Sequence, residues 1–205
     1  MMRLILAAAV LVLAHSAASA ESQPAWRTII SEEDLARLEA RDEALKTAWS
    51  QVTPAPDIIE HMADAEALLN APAVPVLSQD IAGDWRCRTT KIGGEFATFV
   101  RYGWFKCRVT KRSDGSYFFE KISGSQRVSG VLFMESATRF VPLGGRSVND
   151  EPQVAYDPME PPETDPSFTL HNEVAYLVRV DAQTMRLEFP LPHYESTFDL
   201  MELRR

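Results

Sequence analysis

Apolar residues recur at helical spacing in the first third of the chain and alternate in the rest. Ser31-Glu32-Glu33-Asp34 reads as an N-cap followed by an acidic first turn, and Leu35, Leu38, Leu45, Trp49 and Val52 continue as one stripe. Pro54 and Pro56 stop this helix. A second begins near Asp57, carries Ile58, Met62, Ala65 and Leu69 on one face, and ends before Pro72. Residues 21–70 are thus expected to form an amphipathic helical hairpin, each helix needing an apolar surface to lie against. Residues 71–79, APAVPVLSQ, carry neither period and read as a linker.

From Gly83 the pattern changes to β-branched and aromatic runs broken by Gly, Asp and Pro. Eight segments read as strands: 83–92, 99–112, 116–122, 126–134, 138–143, 173–180, 184–189 and 197–203. Asp114-Gly115 and Asp181-Ala182-Gln183 mark hairpin turns. Short links and no helical pattern predict a mainly β domain over 80–205, an antiparallel up-and-down barrel of about eight strands, with a sandwich as the alternative. In the first strand, Trp85, Cys87 and Thr89 share one face, and Arg86 and Arg88 take the other. Trp85 and Cys87 are placed inside. Residues 144–172, rich in Pro and acid, fit no strand beyond a short edge strand at 154–156; the 157–168 portion offers too little apolar area to order itself.

Composition adds the compartment. Arg3, the apolar run Leu4–Ala14 and Ala18-Ser19-Ala20 form a Sec-type leader, cleaved after Ala20 and too short to span a bilayer. No later stretch is apolar enough to span. The chain's formal charge of −8, which loss of Arg3 makes −9, argues against nucleic acid as a partner. In the periplasm, Cys87 and Cys107 are expected to pair, closing a loop that contributes roughly 3 kcal/mol; the alternatives are two free buried thiols or a redox pair. If the cysteines face each other across an antiparallel pair, the hairpin is centred on Ala97, with Gly93-Gly94 a bulge or loop start.

Catalytic patterns are sparse. ISGSQRVSG at 122–130 lacks the spacing of a nucleophile elbow, and no H-E-x-x-H or phosphate-cradling loop occurs. His171-x-Glu173 and His193-x-Glu195 each put an imidazole and a carboxylate on one face, without an identifiable third ligand, so neither metal nor cofactor is assigned. Arg86, Arg88, Arg101, Lys106, Arg108, Lys111, Arg112 and Arg127 gather in the first half of the β domain, the acids in the helices and the long loop. Holding acidic helices against basic strands is the economical account; attracting an anionic ligand is the other.

GDWRCRTTKIGG, YGWFKC at 102–107, GSQR at 124–127 and the terminal PLPHYESTFDLMELRR resemble an uncharacterised Gram-negative bacterial family, domain of unknown function 4893, over nearly the whole mature chain. The stretch at 157–168 looks longer than such proteins usually carry. A second resemblance is to calycins, the lipocalin and metalloprotease-inhibitor type of barrel. It implies that Gly83 and Trp85 sit at the closed end under Arg204 from the last strand. The recurring polar residues Ser125, Gln126, Arg127, Glu195 and Ser196 are the candidate binding site; the structural alternative has Gln126 and Ser196 capping backbone groups and Arg127 pairing with Glu195. The reading is a non-catalytic binding module holding a small apolar or anionic ligand in the barrel mouth. The rival is a protein-interaction or inhibitor module of the cell envelope, its barrel filled by aromatic side chains.

Overall fold

The computed structural model describes residues 25–95, 98–161 and 169–205. The leader read at 1–20 and much of the acidic stretch, 162–168, lie outside the described residues. Among the described residues, a short 3-10 turn at Ala25–Thr28 is followed by three helices, α1 (Glu32–Glu39), α2 (Arg41–Gln51) and α3 (Ile59–Asn70). Ser31 caps α1, its hydroxyl accepting the Asp34 amide at 3.2 Å. The single helix expected over 31–52 is two. Leu35 and Leu38 pack with Trp26 against Val141, Leu143 and Val174, whereas Ala44, Ala48 and Trp49 join α3 against Ile92, Phe99, Phe198 and Leu200. One straight helix cannot face both patches, and the chain turns at Ala40, inside the long gap between Leu38 and Leu45.

Ten strands follow among the described residues: β1 (Gly83–Ile92), β2 (Phe99–Arg101), β3 (Phe105–Lys111), β4 (Tyr117–Lys121), β5 (Gln126–Ser136), β6 (Arg139–Val148), β7 (Asn172–Val174), β8 (Tyr176–Arg179), β9 (Thr184–Pro190) and β10 (Phe198–Arg204). Eight of them run antiparallel in the order β10-β9-β8-β6-β5-β4-β3-β1, and β1 pairs back onto β10 over Arg86–Ile92. The sheet is a closed barrel, not a sandwich. Closure leaves no long edge to template aggregation. β2 pairs with β1, and β7 continues the line of β8 along β6.

The long strand expected over 99–112 is broken. β1 pairs Thr90 with Arg101 but Cys87 with Phe105, so four steps on one strand oppose three on the other. Tyr102-Gly103-Trp104 takes up the extra residue as a bulge. The cysteines therefore do not face each other: Cys107 stands opposite Trp85, and the Cys87–Cys107 disulfide runs diagonally across β1 and β3 with a Cα–Cα distance of 5.8 Å. At the other boundary, β6 runs on to Val148, taking Gly144–Val148 out of the expected loop, and 154–156 forms no strand. That segment lies on the outside of β6, where a Cβ on Gly145 would come within 2.7 Å of the Val154 carbonyl.

One end of the barrel is filled and capped. Trp85, Phe119, Phe140, Leu177, Met185, Leu187 and Leu203 pack inside it with both cysteines. Residues 71–79 cross this end rather than dangle: Val74 bridges to Arg179, and Val76 is fully buried in the core. The buried Arg179 guanidinium binds the carbonyls of Val76, Gln79 and Asp181. The Trp85 indole donates to the Ile81 carbonyl at 3.0 Å, and the guanidinium over its ring, at 4.1 Å, belongs to Arg205. Arg204, the residue expected there, stands opposite Arg86 on the outer face and bonds Glu202, because alternation puts Leu203 inside.

Candidate functional site

The interior turns polar at the opposite end. The inward register of β1 runs Trp85, Cys87, Thr89 and then Lys91; that of β4 runs Tyr117, Phe119 and then Lys121; that of β10 runs Leu203, Met201 and then Asp199. Lys91 and Lys121 are buried. Across β5, β6 and β7 the neighbouring inward positions are Gly130, Gly144 and Glu173. A Cβ on either glycine would collide with the backbone of the other strand, so β5 and β6 approach closely beside Glu173.

Lys91 is neutralised. Its Nζ lies 3.0 Å from Asp199 Oδ2 and 3.4 Å from Glu195 Oε2, and the Ser196 hydroxyl donates to Asp199 Oδ1 at 2.5 Å. Burial opposes the ammonium, but the two carboxylates outweigh it and hold its pKa above the ordinary value. Lys121 has no such help. Its Nζ donates to the Gln126 carbonyl at 2.5 Å and sits 4.4 Å from the Phe105 ring centre, and no carboxylate among the described residues comes within ion-pair distance. Burial, followed by the charges of Lys91 and Arg127, lowers its pKa to about 8. Glu173 likewise has no ion pair among the described residues, and burial raises its pKa to about 7 against the pull of Arg37 and Arg146. Arg146 stacks on the Tyr194 ring at 4.0 Å, also without a carboxylate partner among the described residues.

The β9–β10 connection, residues 191–197, closes over this mouth. Leu191 and Glu195 hold positive φ, 45° and 72°, a conformation that side chains resist and that is retained where the surroundings fix it. Gly94, at φ 117°, packs so tightly beneath the connection that a Cβ would fall on the Glu195 carbonyl. Gln51, at the end of α2, ties the two together: its Oε1 accepts from the Gly94 amide at 3.1 Å and the Thr197 hydroxyl at 2.6 Å. Behind the connection, Arg37 donates to the Leu191 carbonyl at 2.9 Å, to Asp34 at 2.8 Å and to His193 Nε2 at 2.8 Å. Burial first, then Arg37, lowers the His193 pKa to about 4. The buried Asp34 also accepts from Tyr156 at 2.7 Å and Asn172 at 3.2 Å.

Of the residues singled out from sequence, Gln126, Glu195 and Ser196 meet here. Gln126 donates from its side chain to Glu195 Oε1 at 3.1 Å, and Ser196 serves Asp199 rather than a backbone group. Ser125 contributes its carbonyl, which accepts the Asn149 amide. The Arg127–Glu195 pair does not form; Arg127, at the rim, bonds the Gly124 carbonyl and exposed Asp150. The helix-to-strand account of the basic residues covers Arg101, paired to Asp64, whereas Arg88 and Arg108 pair with Glu202 and Asp84 on strands. Sequence reading missed Lys91, Lys121 and Asp199. The signal was available in the parity: a charged residue continuing an apolar every-second-residue series faces inward. Among the described residues, no group of three or more His, Cys, Asp or Glu side chains is placed to hold a metal.

A family model described as domain of unknown function (DUF4893) matches residues 26–203. The chain belongs to this family. No curated protein matches it. The DUF4893 match spans α1–α3 and every mouth residue named above. The closed antiparallel barrel is consistent with the looser calycin resemblance. Among the described residues no helix is long and apolar enough to cross a membrane, and the disulfide suits an oxidising compartment.

Proposed function

We propose that this DUF4893 protein is an exported, periplasmic binding module, without catalytic activity, that holds one small anion in its polar barrel mouth. The Lys121 ammonium carries the reading: it is buried beside a cavity that Arg146 also lines, and neither cation has a carboxylate partner among the described residues. An unpaired buried ammonium destabilises the fold, and a bound carboxylate or phosphate offsets that cost. The cavity is about 60 Å³, room for a few waters or one small anion and far below what a drug-sized ligand fills. The disulfide and the leader read at 1–20 support export.

Native mass spectrometry on protein isolated gently from its own cell envelope tests this. A small mass excess over the bare chain, absent in Lys121→Met, is expected. The filled apolar end favours a second reading, an interaction or inhibitor module of the cell envelope. A bare chain, or one carrying a second protein, would replace the first reading with that one.

A further inference from the structure

The outer wall of the barrel carries a surface unrelated to the mouth. Lys106, Arg86 and Arg204 stand directly opposite one another across β3, β1 and β10. Like charges directly opposite in an antiparallel sheet are destabilising, and nothing in the fold requires three in a row. The nearby carboxylates are already taken: Asp84 by Arg108 at 2.7 Å, and Glu202 by Arg204 at 2.6 Å, Arg88 at 2.7 Å and Arg101 at 3.7 Å. Arg86 and Lys106 have no carboxylate partner among the described residues. The bulge at 102–104 then turns two aromatic side chains outward beside them. Trp104 is 37% exposed, with the Arg86 and Arg88 guanidinium carbons 4.7 and 4.4 Å from its ring centre, and Tyr102 is 39% exposed. The chain as a whole is acidic, at −8, so this cationic aromatic face is a local exception.

We propose that this face docks the protein onto the surface of an anionic phospholipid membrane. Guanidinium groups match phosphate oxygens with paired hydrogen bonds. Trp and Tyr, apolar in body and polar at one edge, settle at headgroup level. The charges lie along three adjacent strands of a barrel wall, a geometry that meets an extended charged surface. The proposal does not depend on what the mouth binds.

Co-sedimentation of the full chain with phosphatidylcholine vesicles containing phosphatidylglycerol, against phosphatidylcholine alone, tests it. Binding to the anionic vesicles alone is expected, weakening as salt is raised and shifting the Trp104 emission to the blue. Arg86→Glu places an acid between Lys106 and Arg204, so the variant is expected to fold at least as well. It should lower vesicle affinity roughly thirtyfold, as expected for a change of two charges at an anionic surface. Wild-type protein that ignores the anionic vesicles would overturn the proposal, as would binding that Arg86→Glu leaves unchanged. Binding to polyglutamate but not to vesicles would give the face to an acidic protein partner instead.

Discussion

Lys121 shows how one side chain can reveal a site. Its ammonium is buried without a carboxylate, so Lys121→Met is expected to raise stability by about 1–3 kcal/mol in denaturant titration at neutral pH while abolishing anion uptake. The sign follows from protonation. With its pKa lowered from 10.5 to about 8, Lys121 binds fewer protons folded than unfolded between those values, and stability rises with pH through that window. Lys121→Met should flatten the rise. Gly94 behaves in the opposite sense. Gly94→Ala would force a Cβ onto the Glu195 carbonyl at a φ of 117°, and a loss of about 2–4 kcal/mol is expected, with the mouth disturbed before the apolar end. In the sequence, Gly94 announced a turn or bulge. Its contact with a loop a hundred residues further on was not legible, because close approach between distant backbones leaves no local pattern.

Individual elements were read well where their period was local and poorly where a distant partner decided their ends. β1 is the strand expected, end to end, because its apolar parity and flanking glycine are in the segment itself. The α1–α2 break and the bulge at 102–104 both answer to surfaces assembled from elsewhere. The same holds for residues 71–79, read as a linker and found across the capped end. Their attachment depends on Arg179, whose guanidinium binds three carbonyls of that end. Arg179→Met keeps the aliphatic bulk and removes those bonds, so a loss of about 2–4 kcal/mol in thermal or denaturant unfolding is expected, with faster hydrogen exchange at Val74 and Val76.

For the molecule as a whole, two partly buried groups set opposing responses to acid. Glu173, raised from 4.5 to about 7, binds more protons folded than unfolded, so stability falls as pH rises through that interval. His193, lowered from 6.5 to about 4, binds fewer, so stability rises with pH between about 4 and 6.5. The two largely offset one another in the overlap. Glu173→Gln should uncover the His193 slope as a clear gain in unfolding free energy from pH 4 to 6.5, and a profile as flat as wild type would contradict both assignments. Barrel closure was legible as a preference, since eight alternating strands with short links leave few other solutions. The polar mouth was not, because it forms only when β1, β4, β7 and β10 bring their last inward residues to one end. The disulfide has a consequence for assembly order. Both sulfur-bearing side chains are buried inside the finished barrel, at most 1% exposed, out of reach of an oxidising or reducing protein while the barrel stays closed. The bond must therefore be made while the β1–β3 hairpin is still open, and a chain that closes reduced is expected to keep its two thiols until it unfolds.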